Sequence, residues 1–169
     1  MKSGIFTIIL FLSTIRVFSS DLKFYNINDL YGSSVKEAYS ICKDGKGFVW
    51  GASKTGIIRF SESDYRMYAL PYKTTDVFLT KLIYDDSLLI AYTNNGQLFT
   101  YDVLYDRFNF FIDLRDILDY RHLVVQAIVP DKDRNLWIGT SVGLFRYENN
   151  TLMPIPEVDV GVQHIAAYE

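Results

Sequence analysis

The 169-residue sequence has one cysteine, two histidines and only 4 prolines. A single cysteine excludes an intramolecular disulfide and any zinc cluster built on several thiolates. Its 17 basic and 20 acidic residues give a formal charge of −3, so we expect no contact with nucleic acid. Apolar residues make up 49% and charged residues 22% of the chain, a balance that excludes wholesale disorder. The chain is instead rich in Tyr and Phe, 13 and 12 respectively, which favours strands over helices.

The first 19 residues have the pattern of a secretory signal peptide. Lys2 precedes an apolar run over 5–12, and Val17 to Ser19 offers small or β-branched residues before a cleavage site. An N-terminal membrane anchor is the alternative, but the run is shorter than the roughly 20 residues of a membrane span. Arg16 also interrupts its end. We therefore predict a signal peptide over 1–19 and a mature chain that is periplasmic or secreted.

The rest of the chain contains an internal repeat of three copies. When the copies are aligned on a glycine, the first and third share an aspartate twelve residues before it and a tryptophan six residues before it. The second copy lacks both and has an isoleucine at the tryptophan position. The shared positions are Asp44, Trp50 and Gly56, then Ile90 and Gly96, then Asp131, Trp137 and Gly143.

The spacing of the copies predicts an all-β fold, an incomplete β-propeller. The glycines lie 40 and 47 residues apart, and strand-rich repeats of that length are typical of four-stranded propeller blades. We predict about three four-stranded antiparallel blades with extra strands at both ends, and a short helix within 112–123. The predicted boundaries are a lead-in strand and loop over 20–34, blades over 35–70, 71–112 and 113–157, and the first strand of a truncated next blade over 158–169.

The repeated residues have structural interpretations. A tryptophan that recurs once per blade indicates packing between blades, an aspartate in a hairpin turn caps backbone N–H groups, and the glycines supply a positive φ. The two histidines, His122 and His164, have no metal-ligand spacing, and no nucleophile elbow or phosphate-binding glycine loop occurs. We therefore predict no catalytic residue, no metal site and no cofactor.

The segments from Asp44 to Ile57 and from Asp131 to Leu144 resemble the two-component regulator propeller repeat. This resemblance implies the extracytoplasmic sensor of a hybrid histidine kinase that responds to an oligosaccharide. It further implies the remaining blades of a longer protein as partners, dimers only in the full-length sensor, and an anchor in the inner membrane. The kinase parts are absent from this sequence, so we expect an N-terminal fragment that is not itself an enzyme.

Ligand contacts are expected in the loops, where Tyr, Asn and Lys side chains can stack on or hydrogen-bond to a sugar. The candidate positions are Tyr31, Lys54, Tyr72, Asn94, Asn95, Tyr120 and His122. Two other functions stay open at this point. One is a secreted propeller enzyme acting on carbohydrate, which would need clustered acids, histidine or tyrosine at a channel mouth. The other is a nonfunctional remnant, since three open blades expose apolar surface.

Overall fold

The computed structural model describes residues 23, 26–32, 35–62, 64–74, 76–85, 88–118 and 122–166. The predicted signal peptide lies outside these residues. The described part consists of one short helix, twelve strands and a 3₁₀ turn. In chain order they are α1 Ile27–Tyr31, β1 Ala38–Lys43, β2 Val49–Ser53, β3 Gly56–Phe60, β4 Tyr65–Tyr68, β5 Thr80–Asp85, β6 Leu88–Thr93, β7 Gln97–Asp102, β8 Arg107–Asp113, the 3₁₀ turn Leu114–Asp116, β9 Val125–Pro130, β10 Leu136–Thr140, β11 Gly143–Glu148 and β12 Thr151–Pro154.

The strands form three separate four-stranded sheets, each a meander of consecutive antiparallel strands. We call them the first blade (β1–β4), the second blade (β5–β8) and the third blade (β9–β12). Their innermost strands β1, β5 and β9 contact one another in that order, as the inner strands of neighbouring propeller blades do. The predicted all-β class of propeller type is thereby confirmed.

The blades are held together by two apolar cores that lie between them. One face of the first blade, with Trp50 and Ile57, packs on Leu82, Leu89 and Phe99 of the second blade. The other face of the second blade, with Ile90 and Leu98, packs on the third blade; its partners there are Val125, Ile128, Leu136, Ile138 and Phe145. Alternation along each strand places these side chains on opposite faces of the sheet.

In each blade, the turn between the second and third strands is closed by the same kind of hydroxyl hydrogen bond. Ser53 donates to Gly56 O at 3.0 Å and Thr140 donates to Gly143 O at 2.9 Å. In the second blade Thr93 instead donates to Gln97 O at 3.3 Å, because the turn has one residue more. Gln97, and not Gly96, therefore occupies the place of Gly56, and the predicted alignment on Gly96 is wrong by one residue after the turn.

Three other sequence predictions differ from the structure. The lead-in strand predicted within 20–34 is not formed at the described residues of that segment, since the side chain of Asn26 caps α1 by accepting from the amide of Asn28. The helix within 112–123 is only the 3₁₀ turn Leu114–Asp116, capped by Asp113. The segment 161–166 forms no strand, because an inner strand pairs with the second strand of its own blade and the described residues hold none for it.

Gly56 has a φ of 134°, and a Cβ there would lie 2.5 Å from the carbonyl oxygen of Tyr68. We expect Gly56→Ala to lower the free energy of unfolding by about 2–3 kcal/mol through backbone strain and this clash. Gly32→Ala is the control, because its φ is 62° and nothing lies within 4 Å, so its cost should be about 1 kcal/mol. Urea denaturation of both variants measures the difference, and equal losses would contradict the clash.

Candidate ligand-binding site

Turns and links gather at the two ends of the blades. At one end, which we call the link end, the turn between the second and third strands of each blade lies beside the links that join the blades. The link from the first to the second blade, residues 69–79, lies at this end and crosses above the turn of Asn94, Asn95 and Gly96. The opposite end, which we call the hairpin end, carries the other two turns of each blade, between its first and second strands and between its third and fourth strands.

Side chains of the second blade hold the backbone of this link in place. Oδ1 of Asn94 accepts from the amides of Phe78 and Leu79, both at 3.0 Å. The buried side chain of Gln97 accepts from the amide of Lys73 at 2.6 Å and donates to the hydroxyl of Thr74 at 3.0 Å. The path of the link is therefore set by the turn of the next blade.

Asn95 and Arg115 complete the network beneath the link. Nδ2 of Asn95 donates to Oδ1 of Asp76 at 2.9 Å, and its Oδ1 shares the hydroxyl proton of Thr93 with Gln97 O. Arg115 donates to Asp76 and to the buried Asp113, at 3.2 Å each, and to the hydroxyl of Thr74. The hydrogen bond from Thr74 is the largest of the effects that lower the pKa of Asp76, so this carboxylate is ionised at neutral pH.

A pocket of about 240 Å³ lies between this link and the first blade. Three aromatic rings reach it, and two are exposed: Phe78 by 78% of its surface and Tyr72 by 38%. Lys54 adds an ammonium group that makes no ion pair with any residue the structure describes. The full lining is Tyr39, Lys54, Tyr72, Thr74, Val77, Phe78, Leu79 and Thr80.

The chemistry of this pocket suits a polyhydroxylated ligand. Exposed aromatic faces can stack on the apolar face of a sugar ring, while hydroxyl and ammonium groups bind its oxygens. Because Tyr72 packs edge-on against Phe99 at 5.6 Å, its ring is held in a defined orientation. The Tyr72 ring is therefore oriented before any ligand arrives.

The structure brings together only some of the loop residues that the sequence suggests. Lys54 and Tyr72 line the same pocket. Asn94 and Asn95 lie beneath the link and hold it, so their hydrogen bonds are already used. Tyr31 is elsewhere: its ring packs on Phe60 and its hydroxyl donates to Ser61 O.

The remaining two loop candidates are on the link between the second and third blades. His122 is exposed there, and Tyr120 lies outside the described residues. Sequence reasoning missed several residues that build or hold the pocket, namely Tyr39, Phe78, Gln97 and Arg115. None of them belongs to a repeat motif, and they come together only through the path of the link.

The aspartate and tryptophan of the repeat meet at the hairpin end. Oδ2 of Asp44 accepts from the indole N–H of Trp50 at 2.8 Å, and its Oδ1 accepts from the amides of Lys46 and Phe48. In the third blade Asp131 accepts from the indole N–H of Trp137 at 3.2 Å. Each carboxylate thus ties its own turn to the tryptophan of its blade, and none of these residues reaches the pocket of the link end.

A second pocket, of about 190 Å³, lies at the hairpin end between the first and second blades. Its polar centre is the carboxylate of Asp106. This group accepts hydrogen bonds from the phenols of Tyr68, at 2.8 Å, and Tyr101. It also forms ion pairs with Arg59, at 3.1 Å, and with Arg66. These donors connect the two blades. The carboxylate is saturated by the protein, which makes this pocket a weaker ligand site than the one at the link end.

The cluster around Asp106 also lacks the properties of a catalytic centre. Burial raises the pKa of Tyr68 and of Tyr101, so neither phenol is a base near neutral pH. His122 and His164 are exposed and belong to neither pocket. Among the residues that the structure describes, no three His, Cys, Asp or Glu side chains are placed to hold a metal ion.

Comparison with known proteins finds one matching family model and several solved structures of similar fold. Residues 119–142 match the family model of the two component regulator propeller, which confirms the predicted resemblance for the third repeat. The extracellular domain of BT4673 from B. thetaiotaomicron, described as a hybrid two component system, has a TM-score of 0.60 with 20% identity over 76% of this chain and 17% of that chain. A second structure of this extracellular domain, described as a one component system, has a TM-score of 0.64 with 19% identity over 82% and 18%.

The extracellular domain of BT3049 from the same organism, described as a hybrid two component system, has a TM-score of 0.58 with 17% identity over 79% of this chain and 20% of that chain. The chain therefore spans a fifth or less of the length of these solved structures. None of the curated proteins compared with this chain matches it. In the described part of the chain, no helix has the length and apolar character needed to cross a membrane.

Burial by itself would raise the pKa of Asp106. Hydrogen bonds from Tyr101 and Tyr68, together with the charges of the two arginines, outweigh this effect and lower the pKa of Asp106. A depressed pKa stabilises the fold above the unfolded pKa of about 3.9, and the gain is lost as the pH falls through the folded value. We expect Asp106→Asn to lower the free energy of unfolding at pH 7 by about 1–2 kcal/mol.

The difference between the wild type and Asp106→Asn should shrink as the pH falls below about 4, first because the unfolded chain takes up a proton and then, at lower pH, because the folded carboxylate does. Thermal melts from pH 3 to pH 7 measure it. Asp133→Asn, an exposed turn aspartate of the third blade, is the matched control and should have little effect at any pH. A loss for Asp106→Asn that does not depend on pH would mean that the charge of Asp106 is unimportant.

Proposed function

We propose that this chain is the N-terminal portion of an extracytoplasmic sensor of a hybrid two-component system, and that it binds an oligosaccharide in the pocket at the link end. The observation that carries the proposal is the surface of Tyr39, Tyr72 and Phe78 beside Lys54, whose ammonium group makes no ion pair with any described residue. The likeness of the fold to extracellular domains of two-component systems supports the sensor part.

The position of the pocket suits a sensor. It lies at a junction of two blades, and its link is held by hydrogen bonds from the second blade while Tyr39 and Lys54 belong to the first. A ligand that contacts both blades would favour one relative placement of them. In a paired, full-length sensor such a preference would shift the balance between two arrangements of the domains and so carry the signal across the membrane.

An enzyme is the weaker candidate. The acids nearest the pocket are Asp76, which is bound by Asn95 and Arg115, and Glu37, which accepts from the phenol of Tyr39 at 2.7 Å. Two carboxylates on opposite sides of a scissile bond, as glycoside hydrolysis requires, are not present among the described lining residues.

Binding is tested by thermal melting with a panel of neutral and uronate-containing oligosaccharides. A ligand at 100 times its Kd should raise the unfolding free energy by about 2.7 kcal/mol, which is a Tm increase of about 5–10 °C for a chain of this size. A shift with one sugar class and not with the others supports the proposal. Release of new reducing ends from that sugar would favour the enzyme, and a broad melt that no sugar changes would favour the nonfunctional remnant.

The pocket is tested by removing its exposed rings. Phe78→Ala and Tyr72→Ala should each weaken binding of the active sugar at least about tenfold, because loss of a stacking contact costs on the order of 1.4 kcal/mol. Tyr105→Ala, which removes an exposed ring at the hairpin end, is the control and should bind normally. Titration calorimetry gives the three affinities; equal weakening in all three variants would place the site elsewhere.

A further inference from the structure

The pocket at the hairpin end keeps unused hydrogen-bond donors, although its two carboxylates are saturated. Asp44 accepts from two backbone amides and one indole N–H, and Asp106 accepts from two phenols and pairs with two arginines. A ligand in this pocket therefore has to use other polar side chains of the lining. Those are Lys46, Arg59 and Tyr84.

Each of these three side chains has a donor to spare. Towards the residues that the structure describes, the side chain of Arg59 forms its hydrogen bonds through Nη1 alone, so Nε and Nη2 are available. In the described part of the chain, no nitrogen of Arg59 is buried without a partner, so both of these groups reach solvent. The ammonium of Lys46 and the phenol of Tyr84 make no hydrogen bond or ion pair with any described residue.

The repeat itself does not explain why Lys46 and Phe48 stand in this turn. The third blade builds the same aspartate-capped turn, with the same hydrogen bonds from backbone amides, and has Asp133 in the place of Lys46. Asn135 stands in the place of Phe48. Neither a cation nor an aromatic ring is therefore needed to form the turn.

Gly45, in the same turn, makes room for the phenol of Tyr84. A Cβ at Gly45 would lie 2.6 Å from the hydroxyl oxygen of Tyr84, whereas the third blade has Lys132 at the equivalent position. The tyrosine of the second blade thus reaches over the turn of the first blade. Its unused phenol faces the pocket from one blade, while Lys46 and Arg59 belong to the other.

The charges around the pocket favour an anion. Among the described residues that line the pocket or pair with its lining, Lys46, Arg59 and Arg66 carry positive charges and outnumber the carboxylates of Asp44 and Asp106. A carboxylate can pair with a guanidinium and an ammonium group at once and can also accept a hydrogen bond from a phenol.

The rest of the lining is apolar. Leu89 and Val103 of the second blade form one side, and the ring of Phe48, 5.0 Å from the guanidinium of Arg59, forms another. A cavity of about 190 Å³ has room for a ring or a short chain, but is smaller than the pockets that hold drug-sized ligands. The ligand should therefore combine one anionic group with a small apolar body.

We infer that the pocket at the hairpin end is a second ligand site, which binds a small organic carboxylate with an apolar body. The carboxylate binds the ammonium of Lys46, the unused N–H groups of Arg59 and the phenol of Tyr84, and the apolar body lies against the apolar lining. Because both blades line the pocket, the ligand joins them at a point separate from the link end. The inference is independent of sugar binding.

The test is a titration of the full chain with phenylacetate at constant ionic strength. The two indole N–H signals of a ¹⁵N-labelled sample, assigned with Trp137→Phe, report on the site, because Trp50 lines the pocket and Trp137 does not. We expect the Trp50 signal to shift with a Kd on the order of 0.1–1 mM, a range that suits a ligand of about ten non-hydrogen atoms, while the Trp137 signal stays unchanged.

Two analogues of phenylacetate separate the parts of the inference. Phenylacetamide keeps the ring but has no charge, and acetate keeps the charge but has no ring. Each should bind at least about tenfold more weakly than phenylacetate. A Trp50 signal that phenylacetate does not move up to about 20 mM, or equal binding of phenylacetamide, would overturn the inference.

The chain itself suggests the variant that tests the lining. Lys46→Asp introduces the residue that the equivalent turn of the third blade carries, so it preserves the turn and should weaken phenylacetate binding at least about tenfold. Tyr84→Phe should weaken it about fivefold through the loss of one hydrogen bond. Lys132→Asp, the same charge change in the turn of the third blade, is the matched control and should bind normally. Normal binding by Lys46→Asp, or equal weakening by Lys46→Asp and Lys132→Asp, would overturn the inference.

Discussion

The apolar cores of this fold depend on the packing of each blade against its neighbour. A four-stranded meander has two faces and can bury neither alone, so each sheet gains a core only from its neighbour. Trp50, Ala52 and Ile57 supply one side of the first core, and Ile90, Tyr92 and Leu98 supply one side of the second. The abundance of Tyr and Phe follows from this arrangement, because large rings fill the space between two sheets about 10 Å apart.

The same dependence explains which parts of the fold could be predicted from the sequence. Strands and turns recur in each copy, so Asp44, Trp50 and their counterparts mark the hairpins by local pattern alone. Gly96 misled the alignment because a glycine can belong to a two-residue or a three-residue turn. The two are distinguished by the strand register, in which Tyr92 pairs with Leu98, and by the hydroxyl bond from Thr93 to Gln97 O. Segment 161–166 has the pattern of a strand, but a ladder needs a second chain segment that no pattern can supply.

The candidate site was less predictable than the fold for a related reason. Lys54 and Tyr72 were expected as exposed loop residues, and they do line the pocket. Phe78 and Tyr39 join them only because the link folds back on the first blade. That path is set by side-chain to backbone bonds from Asn94 and Gln97, 15 to 24 residues away in the sequence, and such bonds leave no periodic trace.

The bonds to Asp106 have a consequence for the time course of folding on the ribosome. Asp106 follows its partners Tyr68, Arg66 and Arg59 by 38, 40 and 47 residues. At a synthesis rate of about 5–20 residues per second, these residues of the first blade leave the exit tunnel roughly 2–9 s before Asp106 follows and their bonds to it can form. During that interval Trp50 and its neighbours form an uncovered apolar sheet face, which is the kind of surface that chaperones bind. Because the chain is synthesised from its N-terminus, the order of the blades determines how long each blade face stays uncovered before the next blade is made.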